Sequence, residues 1–184
     1  MTSTATHQTP LTGTIRLLRR SELPQFRDHM LRLDEHSRRD RFNGPTSDAF
    51  VASYAERSFQ NGALVLGYVE DGKVLGAAEL HERPEDAEPT GEIAFSVERA
   101  LQHRGLGALL FERLIESARA FGYERLLVTT HPQNQAMKRL ARRFNATLRF
   151  EDGETVGIIE LEPFPPLPAR PGMGAFASLT AKAA

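Results

Sequence analysis

The stretch Gln102-His103-Arg104-Gly105-Leu106-Gly107 has the residue types and spacing to hold an anion. Two glycines let the backbone approach a bulky ligand closely, and a helix beginning there would present unpaired N–H groups at the positive end of its dipole. Phosphate suits such a place best. Three phosphate motifs compete for it. A P-loop needs Gly-Lys-Ser/Thr after the glycines, whereas Ala108-Leu109 follows Gly107. A dinucleotide fingerprint needs a third glycine where Leu110 stands. The pattern Gln/Arg-x-x-Gly-x-Gly/Ala is complete. A glycine turn that only packs a helix on a strand would carry the same glycines, so the surroundings must separate the two readings.

Upstream of the turn, Ile93, Phe95 and Val97 alternate with Ala94, Ser96 and Glu98, the period of a half-buried strand. Downstream, Leu106, Leu110, Phe111, Leu114, Ile115, Ala118 and Phe121 recur at helical spacing until Gly122, a left-handed stop. Near the start, Ile15 and Leu17 open a short strand, and Ser21 reads as the N-cap of a helix that buries Phe26, Met30, Leu31 and Leu33. Residues 34–43, DEHSRRDRFN, are dense with charge. A solvated helix or loop accounts for them. So does a substrate-facing wall, with Arg38, Arg39 and Arg41 meeting an acidic partner, or Asp34, Glu35 and Asp40 attracting an amine.

Thr46-Ser47-Asp48 caps a helix to about Arg57 with Phe50, Val51 and Tyr54 on its apolar side. Asp71-Gly72 is a hairpin turn between strands 63–70 and 73–80. Residues 125–130 read as a buried strand parallel to its predecessor. A helix starting near Asn134 follows, with Ala136, Met137, Leu140, Ala141 and Phe144 as its stripe, and then a hairpin, 147–151 and 155–161, around Asp152-Gly153. Residues 13–162 form one domain, 1–12 a flexible leader, and 163–184 a Pro/Gly/Ala-rich tail without regular structure.

In that order of elements the glycine turn resembles the pyrophosphate loop of the GNAT superfamily, the acyl-CoA-dependent N-acyltransferases. DEHSRRDRF, GEIAFSV and NQAMKRLARRF look most like the acetyltransferase domain of Pat-type bacterial protein lysine acetyltransferases. The resemblance implies an α/β (α+β) GNAT fold: a mixed, mostly antiparallel sheet flanked by helices, with a parallel central pair splayed, often by a bulge, at the cofactor site. It implies that Phe95, Ser96 and Val97 pair through their backbone with the pantetheine arm and polarise the thioester carbonyl. Gln102, His103, Arg104, Gly105, Leu106, Gly107 and Ala108 would wrap the pyrophosphate, and Asn134 would contact the pantetheine or nearby phosphates, although an ordinary helix cap explains Asn134 equally well. Glu92 aligns with the family's general base, with Glu79, His81 and Glu82 in reserve. A base is needed because only roughly one lysine-like amine in a thousand is neutral near pH 7, and partial desolvation at a strand entrance would raise the glutamate toward that task. Where many GNAT enzymes carry a tyrosine general acid stands Ala141, and Asn145-Ala146 replaces the usual Gly-Phe.

The expected cosubstrate is acetyl-CoA or another acyl-CoA, and the acceptor a primary amine on a protein lysine or a small molecule. A non-catalytic acyl-CoA-binding or sensing module is the alternative. With no cysteine, a cysteinyl intermediate is excluded and direct attack is the simpler route. No spacing of histidines suggests a metal site. A formal net charge of −1 argues against a general nucleic-acid surface or polybasic membrane anchor. The lack of a long apolar run or apolar leader leads to the expectation of a cytoplasmic protein. A tail that wraps a second subunit would make a homodimer.

Overall fold

The computed structural model describes residues 10–162. Most of the expected leader and the whole expected tail lie outside the described residues. The elements in order are β1 (Thr14–Leu17), α1 (Leu23–Arg32), α2 (Glu35–Phe42), α3 (Asp48–Gln60), β2 (Leu64–Glu70), β3 (Lys73–Glu82), β4 (Thr90–Val97), α4 (Leu106–Ala120), β5 (Arg125–Thr130), α5 (Gln135–Arg143), β6 (Thr147–Glu151) and β7 (Glu154–Glu160). The strands form one sheet in the order β1-β2-β3-β4-β5-β7-β6, antiparallel throughout except for the β4–β5 pair.

Side chains alternate across each strand, so the sheet can bury apolar residues on both faces. On one face Leu66, Tyr68, Ile93, Leu126 and Val128 pack beneath Leu106, Leu110, Phe111 and Leu114 of α4. On the other, Val65, Val74 and Ala77 pack against Phe26 and Met30 of α1 and Val51 and Ala55 of α3. Both Asp-Gly hairpins turn as their sequence predicts, with left-handed Asp71 (φ 49°), Gly72 (φ 73°), Asp152 (φ 49°) and Gly153 (φ 86°). Asn145 takes the left-handed conformation (φ 63°) that the missing glycine would have supplied.

Three local expectations fail for identifiable reasons. Ser21 is not the cap of α1 but sits inside a 3-10 turn, Arg20–Glu22. The Glu22 carboxylate accepts from the Arg19 amide at 2.9 Å and from the Arg16 guanidinium at 2.6 and 2.9 Å, and these bonds fix that turn instead. Phe121 is 67% exposed, because α4 ends at Ala120 and the left-handed Gly122 leads the chain off the core. Phe50, in the first turn of α3, is 44% exposed and meets Phe42 edge-on rather than the core.

Candidate active site

β4 has two unlike edges. On one it pairs with β3 in a single unbroken register, from Gly76↔Val97 to Glu82↔Gly91. On the other it pairs with β5 only at Thr90↔Arg125, Gly91↔Leu126 and Glu92↔Leu127, and beyond Glu92 the strands part. The parting therefore needs no bulge in β4, contrary to the expectation carried by the resemblance; the sheet's register shift lies between β2 and β3, at Tyr68/Val69. Peptide groups on the parted edge have no ladder partner among the described residues, so an extended ligand can take them.

The gap is the root of a cleft of about 730 Å³. Of the expected site residues, Glu92, Phe95, Ser96, Val97, Gln102, His103, Gly107 and Asn134 line it. Arg104, Gly105, Leu106 and Ala108 do not: the Arg104 guanidinium donates to the Pro10 carbonyl, and Leu106 is buried in the core. What those four positions can offer is backbone. Gly105 is the left-handed N-cap of α4 (φ 83°), His103 is left-handed too (φ 59°), and the amides of Leu106 and Gly107 begin the helix without an i−4 partner.

Two observations fit a ligand laid along this cleft. A Cβ at Gly107 would meet only Leu140 Cδ2, at 3.6 Å, so packing does not require a small residue in this helical turn, whereas close approach by a phosphate favours one, the glycine or alanine of the loop pattern. Thr130 is 4% exposed and its buried hydroxyl lacks a hydrogen-bond partner among the described residues, although it lines the same cleft. Buried polar groups are ordinarily paired, so an orphan on a cleft wall suits a ligand's polar group. Asn134 is in part the helix cap, its Oδ1 accepting from the Met137 amide at 2.9 Å. Its side-chain amide still faces the cleft wall.

Glu92 stands where the two strands separate. Its carboxylate is 42% exposed, with Arg83 Nη1 at 3.8 Å, so it keeps much of its hydration rather than being desolvated. Around it, His36, Asp40 and Asn43 come from α2 and its cap, and Glu154 from β7. Asn43 Nδ2 donates to Glu154 Oε1 at 2.7 Å. The reserve residues divide. Glu82 lines a separate cavity with Leu17 and Phe121. Glu79 is fully buried on β3 and bound by Arg41, Tyr54 and Ser58, which leaves it unable to meet a substrate. His81 lies across the ladder from Glu92 and contacts Tyr54 and Glu79. Ala141, the place of the missing tyrosine, is buried at 1% exposure.

Sequence reasoning treated His29 as one of several scattered histidines. It is fully buried beneath β4, with Nδ1 3.1 Å from Glu98 Oε1 and Nε2 2.9 Å from Ser96 Oγ. Burial pushes its pKa down, against the opposing pull of Glu98. The carboxylate must accept, so Nδ1 carries the proton and Nε2 accepts from the serine hydroxyl. This bridge fixes the cleft end of β4 to α1. Its signal was present in the sequence as the apolar stripe on which His29 falls between Phe26 and Met30.

No helix among the described residues is long and apolar enough to cross a membrane. The fold is shared with solved structures of low sequence identity. The GNAT domain of PAT from S. lividans is 22% identical, with TM-score 0.68, covering 80% of this chain and 89% of that one. yncA from Salmonella typhimurium, solved with its cofactor acetyl-CoA, is 21% identical, with TM-score 0.62, covering 86% and 99%. A phosphinothricin acetyltransferase from Sinorhizobium meliloti, in complex with acetyl-CoA, is 17% identical, with TM-score 0.61, covering 82% and 89%. The sequence model of the Acetyltransferase (GNAT) family matches residues 27–146, which include the parted strands, Glu92 and the glycine turn, and by that match the chain belongs to the GNAT family of acetyltransferases.

Proposed function

We propose that the protein transfers an acetyl group from acetyl-CoA to a primary amine, on a protein lysine or a small molecule, by direct attack with Glu92 as general base. The observation that carries this reading is the position of Glu92 at the last paired residue of β4, where one cleft joins the parted strand edge to the glycine turn. Acetyl-CoA supplies an activated thioester. The amides of Leu106 and Gly107, with the turn from Gln102 to Gly105, take the pyrophosphate. The parted edge at Phe95–Val97, Thr130 Oγ1 and Asn134 take the pantetheine arm. Glu92, directly or through water, removes the proton that keeps the acceptor nitrogen cationic. The nitrogen lone pair then attacks the thioester carbon, the carbon–sulfur bond breaks, and the nitrogen gives its second proton to water as the amide forms. With alanine at 141, the departing thiolate takes its proton from water.

Thiol release against pools of amines and peptides, paired with calorimetry of acetyl-CoA binding, tests the reading in the parent and in Glu92→Gln. General-base catalysis is worth about 10²–10⁴-fold. The variant should therefore lose roughly a hundredfold or more in kcat while its acetyl-CoA Kd stays within about twofold. Activity near the parent's would remove Glu92 from the base role. A parent that binds acetyl-CoA but turns over no acceptor would leave the acyl-CoA-binding module standing in its place.

A further inference from the structure

Helix α2 walls the acceptor half of the cleft, yet none of its residues is buried. Its sequence, EHSRRDRF, has no apolar stripe that could seat it. Phe42 at its end packs partly buried against the core, and the deeper hold is the side chain of Arg41. The Arg41 guanidinium, only 9% exposed, passes beneath the helix and donates through Nη2 to Glu79 Oε1 at 2.7 Å and to the Tyr54 hydroxyl. Tyr54 and Ser58 donate to Glu79 Oε2 at 2.9 and 3.2 Å, so the fully buried carboxylate is satisfied on both oxygens. The rings of Phe42 and Tyr54 flank the guanidinium at 4.9 and 5.0 Å. Burial alone would raise the Glu79 pKa, but Arg41 and His81 together outweigh it and hold the group well below the ordinary carboxylate range.

The location of this ion pair gives it a consequence for the site. His81 lies opposite Glu92 in the β3–β4 ladder, and Glu79 is two residues before His81, so Glu79 and Glu92 project from the same face of the sheet. We propose that Arg41 is a positioning residue for the acceptor: by locking α2 onto Glu79 it sets the distance between the wall carrying His36, Asp40 and Asn43 and the carboxylate of Glu92. The acceptor role of this wall rests on the acetyltransferase reading above; the seating of α2 by Arg41 does not. A positioning role of this kind acts on the acceptor and not on acetyl-CoA, because the phosphate turn is seated by α4.

Arg41→Gln, Arg41→Lys and Tyr54→Phe test the proposal through three readouts: amide hydrogen exchange across 35–43 and 106–120, acetyl-CoA Kd by calorimetry, and acceptor KM. In Arg41→Gln, exchange in α2 should quicken at least tenfold with α4 unchanged. Acceptor KM should rise about tenfold while acetyl-CoA Kd moves less than twofold. Arg41→Lys, which keeps the charge, should recover part of both effects. If Arg41→Gln does not fold, Tyr54→Phe, which removes one hydroxyl and strands no charge, should shift α2 exchange and acceptor KM in the same direction by a few-fold. Unchanged α2 exchange in folded Arg41→Gln, or in Tyr54→Phe where Arg41→Gln does not fold, would overturn the proposal. So would a rise in acetyl-CoA Kd as large as the rise in acceptor KM. If the parent acetylates nothing, the acetyltransferase reading fails, while the exchange comparison still decides whether Arg41 seats α2.

Discussion

Two of the helices at the cleft, α4 and α2, are held to the sheet by opposite means. Helix α4, on the cofactor side, buries Leu106, Leu110, Phe111, Leu114, Ile115 and Ala118, and Phe111 is stacked between Phe95 at 4.7 Å and Phe144 at 4.4 Å. Helix α2, on the proposed acceptor side, carries no fully buried residue: Phe42 packs partly buried against the core, Arg41 ties one end to Glu79, and Ser37 ties the other to Gln102. Apolar burial is strong and non-directional, whereas hydrogen bonds and ion pairs contribute less net stability but fix orientation. On the acetyl-CoA reading proposed above, the half that would meet the cosubstrate is the one that packing makes rigid, and the half that would face the acceptor is set by a few polar contacts that single substitutions can retune.

The largest effect should come from the apolar half. Phe111→Ala removes a fully buried ring and the stack that supports Phe95 on the cofactor strand. It should cost about 3–5 kcal/mol in denaturant unfolding, with weaker acetyl-CoA binding wherever the variant still folds. A loss below about 1 kcal/mol would mean that α4 is not seated by packing, and the contrast between the helices would fall.

Acid should separate the halves next. The Glu79 pKa is lowered from 4.5 to about 2, burial being outweighed by Arg41 and His81 together. Asp34, the α2 cap, is also lowered, chiefly by the Ser37 amide, and buried His29 is lowered by desolvation. All three favour their deprotonated forms on folding, so each contribution is present above the unfolded pKa and lost as pH falls through the folded one. Between pH 4.5 and about 2 the Glu79 contribution, on the order of 3 kcal/mol, should drain away. Among the described residues Glu79 is the one buried carboxylate, and the cluster beneath α4 is built of apolar side chains. Hydrogen exchange followed down this range should quicken in residues 35–43 well before 106–120. Simultaneous loss in both helices would show that α2 depends on the same packing as α4.

The same contrast explains what could be read in the chain beforehand. Helix α4, β5 and both hairpins follow from periodicity and Asp-Gly turns, because burial and turn chemistry are local in sequence. Gly105 marks the left-handed start of α4 for the same reason. The α2 seat was not legible in that way. Arg38, Arg39 and Arg41 look alike as letters, and only the approach of β3, 38 residues onward, distinguishes Arg41. Glu79 was noticed as a carboxylate near the site and given the wrong standing, since its burial depends on α2 and α3 arriving above it. Thr130 gave no signal at all: a threonine in a strand is ordinary until the neighbouring strand leaves it without a partner.

Gly107→Leu sharpens the comparison by acting with opposite signs on the free and bound protein. Its Cβ would contact only Leu140 Cδ2 at 3.6 Å, so the free protein should gain up to about 1 kcal/mol from helix propensity, read as a rise in Tm of a few degrees. The side chain beyond Cβ would crowd the cleft that Gly107 lines, and acetyl-CoA should bind about tenfold more weakly, a difference of about 1.4 kcal/mol. Equal affinity would show that the turn does not approach the phosphates.

The smallest effect should come from the bond that joins the halves. Gln102 Nε2 donates both to Ser37 Oγ and to the Val97 carbonyl, each at 2.9 Å, so the residue that opens the phosphate turn also touches the acceptor wall. Ser37→Ala removes the first bond and the hydroxyl's own contact with Asp34, whereas the Asp34 cap to the Ser37 backbone amide survives. The loss should be about 0.5–1.5 kcal/mol, borne by α2: exchange there rises severalfold and acceptor KM about two- to threefold. Gln102 keeps its hold on β4 through Val97, so acetyl-CoA affinity should stay as it was. Should acetyl-CoA affinity fall more than acceptor affinity, Gln102 would be transmitting strain from α2 into the turn. By reciprocity, acetyl-CoA binding would then reposition the acceptor wall, and the two halves would act as one coupled device.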